Sequence, residues 1–136
     1  MSVVEELVRA SADALSFGNY ELETKTKKDG FEWKGDIYKV KTFREITKLE
    51  KNGLFAYESV PGTAVTDFRE QATGVDFTVE GPKTAQVIIG LEEDCDYDVF
   101  MNDVQVDRLR TNVGGKLTIN VELENSAVHI RVVKVG

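Results

Sequence analysis

An acidic run in the second half of the chain is the most concentrated group of residues that could do chemistry. Asp94, Asp96 and Asp98 stand at alternate positions, as the first three ligands of a calcium loop do, because a hard cation needs several carboxylate oxygens around it. The position for the turn glycine of such a loop holds Val99, and the position for its closing glutamate holds Gln105. The run therefore predicts either a calcium site at the three aspartates or a solvated stretch that leads into a half-exposed strand.

Aromatic side chains are the second group with binding chemistry, because exposed rings stack on sugar faces. Eight of the twelve aromatic residues lie between Tyr20 and Phe68. Within that range we take Trp33, Tyr38 and Tyr57 as the candidate ligand-binding residues. The same half of the chain also fits a buried face or the interface of a homo-oligomer.

The sequence shows no arrangement that is typical of an enzyme. His129 stands between Val128 and Ile130 in an alternating segment, so we expect its side chain to point outward with Arg131. No serine lies in a Gly-x-Ser-x-Gly context, and no glycine-rich segment has the spacing of a phosphate loop. An enzyme would need a pocket near His129 or carboxylates with raised pKa values.

The composition excludes several classes of partner. The 136 residues carry 17 bases and 24 acids, a net charge of −7, and the pI is near 4.8. Nucleic acids and anionic membrane surfaces need clustered bases, so neither is expected as a partner. One cysteine and one histidine make neither an internal disulfide nor a four-ligand zinc site. The sequence has no signal peptide or apolar stretch long enough for a membrane span, so we expect a cytoplasmic location by default.

Short apolar runs separated by turn residues predict the elements that position these groups. The pattern is typical of an all-β protein of about ten strands, an antiparallel sandwich or barrel-like arrangement. Asn52-Gly53 and Asn102-Asp103 predict tight turns, and residues 60–63 read as a type II turn. A turn or a bulge is expected at Gly35.

The ends and halves of the chain leave alternatives open. Ser2 followed by Glu5 fits a capping box, so the chain opens with one short helix or with a strand. Residues 1–72 have a net charge of −2 and residues 73–136 a net charge of −5, which favours two packed lobes, an aromatic-rich N-terminal one and a small C-terminal sandwich. A single all-β unit with two sheets is equally compatible with the pattern.

Four segments, residues 35–43, 46–55, 57–65 and 116–123, resemble a group of short proteins from anaerobic Gram-positive gut bacteria that carry the label endosialidase. The resemblance spans nearly the whole chain and implies a relation to small bacterial proteins. It carries no catalytic residue over to this sequence. The arginines are scattered and show no spacing of the kind that a carboxylate-binding triad would have.

Taken together, the residues favour a non-enzymatic structural or interaction protein that assembles with itself or within a larger protein complex. The alternative is a carbohydrate-binding module that uses Trp33 and neighbouring tyrosines, with calcium at the three aspartates. Calcium is the only cofactor that the sequence suggests.

Overall fold

The computed structural model describes residues 3–136, which form an all-β fold. Alternation of apolar and polar residues over four to eight positions is what a half-buried strand requires, and each strand coincides with such a segment or with a sheet edge. The thirteen strands are β1 Val8–Ser11, β2 Ala14–Phe17, β3 Thr26–Trp33, β4 Asp36–Phe43, β5 Ile46–Lys51, β6 Leu54–Val60, β7 Ala64–Gln71, β8 Gly74–Glu80, β9 Ala85–Gly90, β10 Asp96–Met101, β11 Val104–Arg110, β12 Lys116–Val121 and β13 Ala127–Lys134.

The strands form two antiparallel sheets that pack face to face. Sheet A has seven strands in the order β1-β2-β7-β8-β13-β10-β11, and sheet B has six in the order β12-β9-β6-β5-β4-β3. The predicted antiparallel all-β fold is therefore confirmed. Six of the strands lie beyond residue 73, as the turn spacing predicts for that half.

The core between the sheets is built by strict alternation. In β12, Leu117, Ile119 and Val121 are buried whereas the residues between them are exposed. At the centre of the core four rings meet edge to face or tilted, with centroids 5.3 to 6.4 Å apart: Phe17, Tyr57, Phe68 and Phe77. Such contacts between rings add to the free energy that burial itself contributes.

A chain of buried hydroxyls fixes the crossing from β6 in sheet B to β7 in sheet A. The Thr47 hydroxyl donates to the Thr63 carbonyl at 2.8 Å and accepts the Thr63 N–H at 3.1 Å. It also lies 2.8 Å from the Thr42 hydroxyl, and the Thr63 hydroxyl lies 2.8 Å from those of both Tyr57 and Ser59. Every member is fully buried. Polar groups without water are stable only when they are paired, so this network determines the path of the crossing.

The turns test the local predictions. Asn52 and Gly53 both have positive φ between β5 and β6, as does the Asn102-Asp103 pair between β10 and β11, so both tight turns are confirmed. The type II turn at residues 60–63 is wrong. The Val60–Pro61 peptide bond is cis and Gly62 has no positive φ; the glycine is needed because a Cβ there would collide with the Phe43 carbonyl.

Gly35 belongs to a hairpin turn between β3 and β4, with positive φ at Lys34 and Gly35, which selects the turn over the bulge. The N-terminal helix is not found: Ser2 lies outside the described residues, and residues 3–7 are not helical. Both sheets draw strands from residues 1–72 and from residues 73–136 around one hydrophobic core, so the two ranges are interleaved. Residues 3–136 contain no helical segment with the length and hydrophobicity of a membrane span.

Candidate functional site

A cleft at one end of the sandwich holds two of the predicted ligand-binding residues. Trp33 ends β3 and Tyr38 lies in β4, and the hairpin places their rings 6.2 Å apart at an angle of 50°. We call this site the Trp33 cleft; it encloses about 140 Å³. It is lined by Asp13, Leu15, Trp33, Lys34, Asp36, Tyr38, Lys51, Phe68 and Glu70.

The polar groups of the Trp33 cleft are arranged around one ammonium group. The Nζ atom of Lys51 lies 3.1 Å from the Glu70 carboxylate and 3.7 Å from that of Asp36. Burial alone would lower the pKa of Lys51, but the hydrogen bond and the charge of Glu70 outweigh burial and raise it. Burial also raises the pKa of Tyr38, so its hydroxyl stays neutral at physiological pH. Tyr38 is only 4% exposed and belongs to the core, so Trp33 supplies the aromatic surface of the cleft, beside fixed charges of both signs.

Tyr57 does not join the other two candidate residues. It is fully buried, its hydroxyl is bonded to Thr63, and burial raises its pKa far above the ordinary tyrosine value. Its ring packs against Phe17 and Phe77 and presents no face to solvent. Sequence composition favoured it as a ligand-binding residue, but its role in the structure is to hold the core.

The three aspartates of the acidic run have different surroundings in the structure. Asp98 accepts two hydrogen bonds from Arg108, at 2.7 and 3.3 Å, which hold the pKa of that carboxyl below its usual range. Asp96 pairs with Arg110 at 3.2 Å, and Asp94 is an exposed turn residue with positive φ. Two of the three carboxylates are therefore neutralised by arginines of the neighbouring strand. Among residues 3–136 no group of three or more His, Cys, Asp or Glu is arranged to hold a metal ion.

His129 points away from the core on the outer face of sheet A, with Arg131, as expected. Its Nε2 atom lies 2.7 Å from an Asp76 oxygen, and its Nδ1 atom lies 4.0 Å from Asp103. The β10–β11 turn is tied to β13 by the Asp103 contact and by two hydrogen bonds: the Asn102 N–H donates to the His129 carbonyl, and the His129 N–H donates to the Asn102 side-chain oxygen. The histidine thus connects strands on the outer face of sheet A.

A concave surface lies on one side of the sandwich, where sheet A extends one strand beyond sheet B. Tyr97 and Val99 of β10 are buried, so sheet B covers β10. In the next strand, β11, Val104 and Val106 are 62% and 51% exposed. Nothing among the described residues covers the inner face of β11. At the opposite side of the sandwich β1 contacts β3, so there the two sheets end together.

The overhang of β11 beside β12 creates a groove of about 590 Å³, which we call the open groove. Its lining is Val99, Met101, Asn102, Val106, Asp107, Leu109, Thr118, Ile119, Asn120, Val121, Glu122 and Val128. Five consecutive residues, 118–122, line it, and in a strand successive side chains point to opposite faces. The open groove is therefore bounded by the free backbone edge of β12 as well as by side chains.

Sequence reasoning did not find the open groove. Val104 and Val106 alternate in the sequence just as the core valines of β12 and β13 do, and this alternation alone predicts a buried face. Only the strand order shows that β11 has no strand beneath it. A weak signal exists, since Asp107 stands on the same face as the apolar residues of β11, and an inward charge is typical of an edge strand.

Comparisons with known proteins leave these surfaces to be interpreted from their own geometry. No protein-family model matches the chain, and neither the curated proteins nor the solved structures yielded a match.

Proposed function

We propose that this chain is a non-enzymatic structural or interaction protein that self-assembles, and that it associates through the open groove. The observation that carries the proposal is the mismatch between the two sheets. It leaves the apolar inner face of β11 and the edge of β12 uncovered on the same side of the sandwich. Exposed apolar surface beside a free strand edge is a common feature of protein interfaces.

The chemistry of the other surfaces supports a binding role over catalysis. His129 is held by Asp76 on an open sheet face, and the acidic run is paired with Arg108 and Arg110. Neither site places a nucleophile next to a base in an enclosed pocket, which covalent catalysis requires. The aromatic rings around Tyr57 are used in the core, so the interface is assigned to the open groove and not to the aromatic half of the chain.

The proposal is tested by measuring the absolute mass of the purified protein by light scattering from about 1 µM to about 1 mM. We expect a mass that rises above the 15.2 kDa of one chain as the concentration increases. A protein that stays monomeric over this range, and that retains no other protein on a column carrying it, would contradict the proposal. The measurement is repeated with a calcium chelator, and we expect no change, because Asp96 and Asp98 are already paired with arginines.

A carbohydrate-binding role is the second candidate, and the Trp33 cleft favours it. Sugar sites combine an aromatic ring with a few polar groups that fix orientation, and here Trp33 and Tyr38 lie beside Asp36, Lys51 and Glu70. The ammonium of Lys34 lies over one face of the Trp33 ring, 4.9 Å from its centre. A sugar that stacks on that face must displace Lys34.

Trp33 is the only tryptophan of the chain, so its fluorescence reports on this cleft alone. We expect a shift in emission when a neutral oligosaccharide binds, and a Lys34→Ala variant should respond at a lower concentration. Trp33→Phe, examined by calorimetry, should weaken binding because the ring surface is smaller. A flat response to neutral, acidic and sialylated oligosaccharides alike would remove this candidate.

A further inference from the structure

The directions of the strands that border the open groove determine what can be added to it. β11 and β12 are joined by a short loop in which the Asn112 N–H donates to the Lys116 carbonyl and the Gly115 N–H donates to the Asn112 carbonyl. The chain therefore reverses, and β12 runs antiparallel to β11. A strand that enters the groove in the same direction as β11 would be antiparallel to β12, as every paired strand in this fold is.

The free edge of β12 offers backbone groups for pairing. The N–H and C=O groups of Lys116 bond to Asn112, on the side away from β9. In an antiparallel strand the backbone groups of successive residues alternate in side, so those of Thr118 and Asn120 also face away from β9. Among residues 3–136 no strand pairs with this edge.

The free edge of β11 is regular from Thr111 back to Asp107, and a bulge at Val106 interrupts it beyond that point. The Thr111 N–H donates to the Cys95 carbonyl on the β10 side. By the same alternation the backbone groups of Arg110 and Arg108 face away from β10, although the Arg108 N–H is also bonded to the Asp107 carboxylate. In sheet A of each chain, β11 has a free outer edge and no strand packed on its inner face. In sheet B the position beside β12, opposite β11, is vacant.

We propose that a second copy of this chain fills the open groove by reciprocal strand addition, β11 of each copy pairing antiparallel with β12 of the other. This inference rests on the proposed function and names its partner and geometry. The two copies are related by a two-fold axis that runs parallel to the strands, midway between the sheet layers. This rotation preserves strand direction and exchanges the layers, so sheet A of one copy continues sheet B of the other.

Other symmetric arrangements leave the edges unsatisfied. A two-fold axis normal to the sheets brings β11 against β11 and leaves two empty strand positions between the two β12 strands, which then lie about three strand spacings, roughly 14 Å, apart. Direct pairing of β12 with β12 is blocked. In each copy β10 lies over β12, so the second copy's β10 would have to occupy the position that β11 of the first copy already holds. Only the interlocked arrangement uses all four free edges.

The side chains at the contact fit a second copy with one exception. Reciprocal addition stacks the inner faces of the two β11 strands, so Val104, Val106 and Leu109 of each copy are covered by the same residues of the other. The exception is Asp107, which also lines the groove: its backbone would lie about one sheet spacing, roughly 10 Å, from that of its symmetry mate, and the two carboxylates, which point toward each other, would lie closer still. Like charges at that distance weaken the dimer.

Asn120→Pro tests the backbone pairing without altering a side chain in the core. Proline lacks an N–H, and the Asn120 N–H faces away from β9, so the chain should fold while one interchain bond is lost. We expect a wild-type mass of twice 15.2 kDa at high concentration and a dissociation constant raised at least about tenfold in this variant. Circular dichroism and the melting temperature of the monomeric state verify that the variant is folded.

Two side-chain substitutions distinguish this geometry from other dimers. Val106→Lys should abolish the dimer, whereas the matched control Ile37→Lys, at a residue that is also 51% exposed but lies on β4, should not. Asp107→Asn should tighten the dimer several-fold, about threefold or more, because it removes the repulsion between the two symmetry mates.

The outcomes separate this inference from the proposed function. A dimer that Asn120→Pro and Val106→Lys leave unchanged overturns reciprocal strand addition but leaves self-assembly standing. A monomer that binds a different protein, or a foreign extended peptide, in the open groove also overturns it. Loss of the dimer in both variants together with a tighter dimer in Asp107→Asn supports it.

Discussion

Replacing Thr47 with valine should destabilise the fold by far more than the loss of a single buried hydrogen bond would. The substitution keeps the shape of the side chain and removes its oxygen. That oxygen accepts the Thr63 N–H, donates to the Thr63 carbonyl and pairs with the Thr42 hydroxyl. Because Thr47 donates its own proton to the carbonyl, it must accept the proton of Thr42. Valine therefore leaves two donors and one acceptor unpaired in a fully buried site.

The magnitude follows from the cost of an unpaired buried group, about 1 to 3 kcal/mol each. With partial relaxation we expect a loss of about 3 to 5 kcal/mol in the free energy of unfolding, a large part of the total for a domain of this size. Tyr57→Phe provides a contrast in the same network. The Thr63 hydroxyl keeps its contact with Ser59 when the tyrosine hydroxyl is removed, so we expect a loss of only about 1 kcal/mol.

Urea unfolding followed by far-ultraviolet circular dichroism measures both variants, at one protein concentration because association changes the apparent stability. Thr47→Ser is the control, since it keeps the hydroxyl and removes only a methyl group. Equal losses in Thr47→Val and Tyr57→Phe, with unchanged denaturant dependence, would refute the view that Thr47 holds the crossing between the sheets.

Three further predictions concern charge and close packing. Burial raises the pKa of Tyr57, so the stability it contributes is full below pH ~10 and falls as the pH rises above that value; Tyr57→Phe should flatten the alkaline limb of a melting-temperature profile. The hydrogen bonds from Arg108 lower the pKa of Asp98, so its contribution is present above pH ~4 and is lost as the pH falls further. The stabilities of wild type and Asp98→Asn should therefore converge in acid titrations. Gly74→Ala should prevent folding or lower the melting temperature strongly, because a Cβ at this positive φ collides with the Val132 carbonyl.

The parts of the fold that sequence predicts are those set by neighbours along the chain. Asn52-Gly53 and Asn102-Asp103 turn where expected, because a tight hairpin needs positive φ and these residues adopt it at low cost. The alternation in β12 and β13 likewise predicts strands with one buried face. The prediction of a type II turn at Pro61 was wrong because the geometry there does not depend on neighbours along the chain. It is set by Thr47, which contacts residue 63 across the core.

The candidate sites depend on contacts that no local pattern contains. Tyr57 and Tyr38 look alike as aromatic residues in alternating strands. Tyr57 is fully enclosed by rings from β2, β7 and β8, whereas Tyr38 lies where β4 reaches the end of the sandwich and lines a cleft. The aspartates of the acidic run are spaced like calcium ligands, but β11 places Arg108 and Arg110 against two of them. Charge compensation across a strand pair is decided by register, which spacing within one strand does not encode.

The four sheet edges differ in how they avoid unwanted pairing, and the difference explains why one of them is suited to a partner. β1 has only four residues, and β3 carries adjacent lysines and a bulge, devices that disfavour pairing with another chain. β11 carries the inward-facing Asp107 and a bulge at Val106. β12 has no inward charge and no bulge; its protection is the overhang of β11 itself, which excludes another sheet but leaves room for one strand. Within one chain, β11 shields the edge of β12 against general aggregation. The β11 strand of a second copy has the direction that is needed to pair with that same edge.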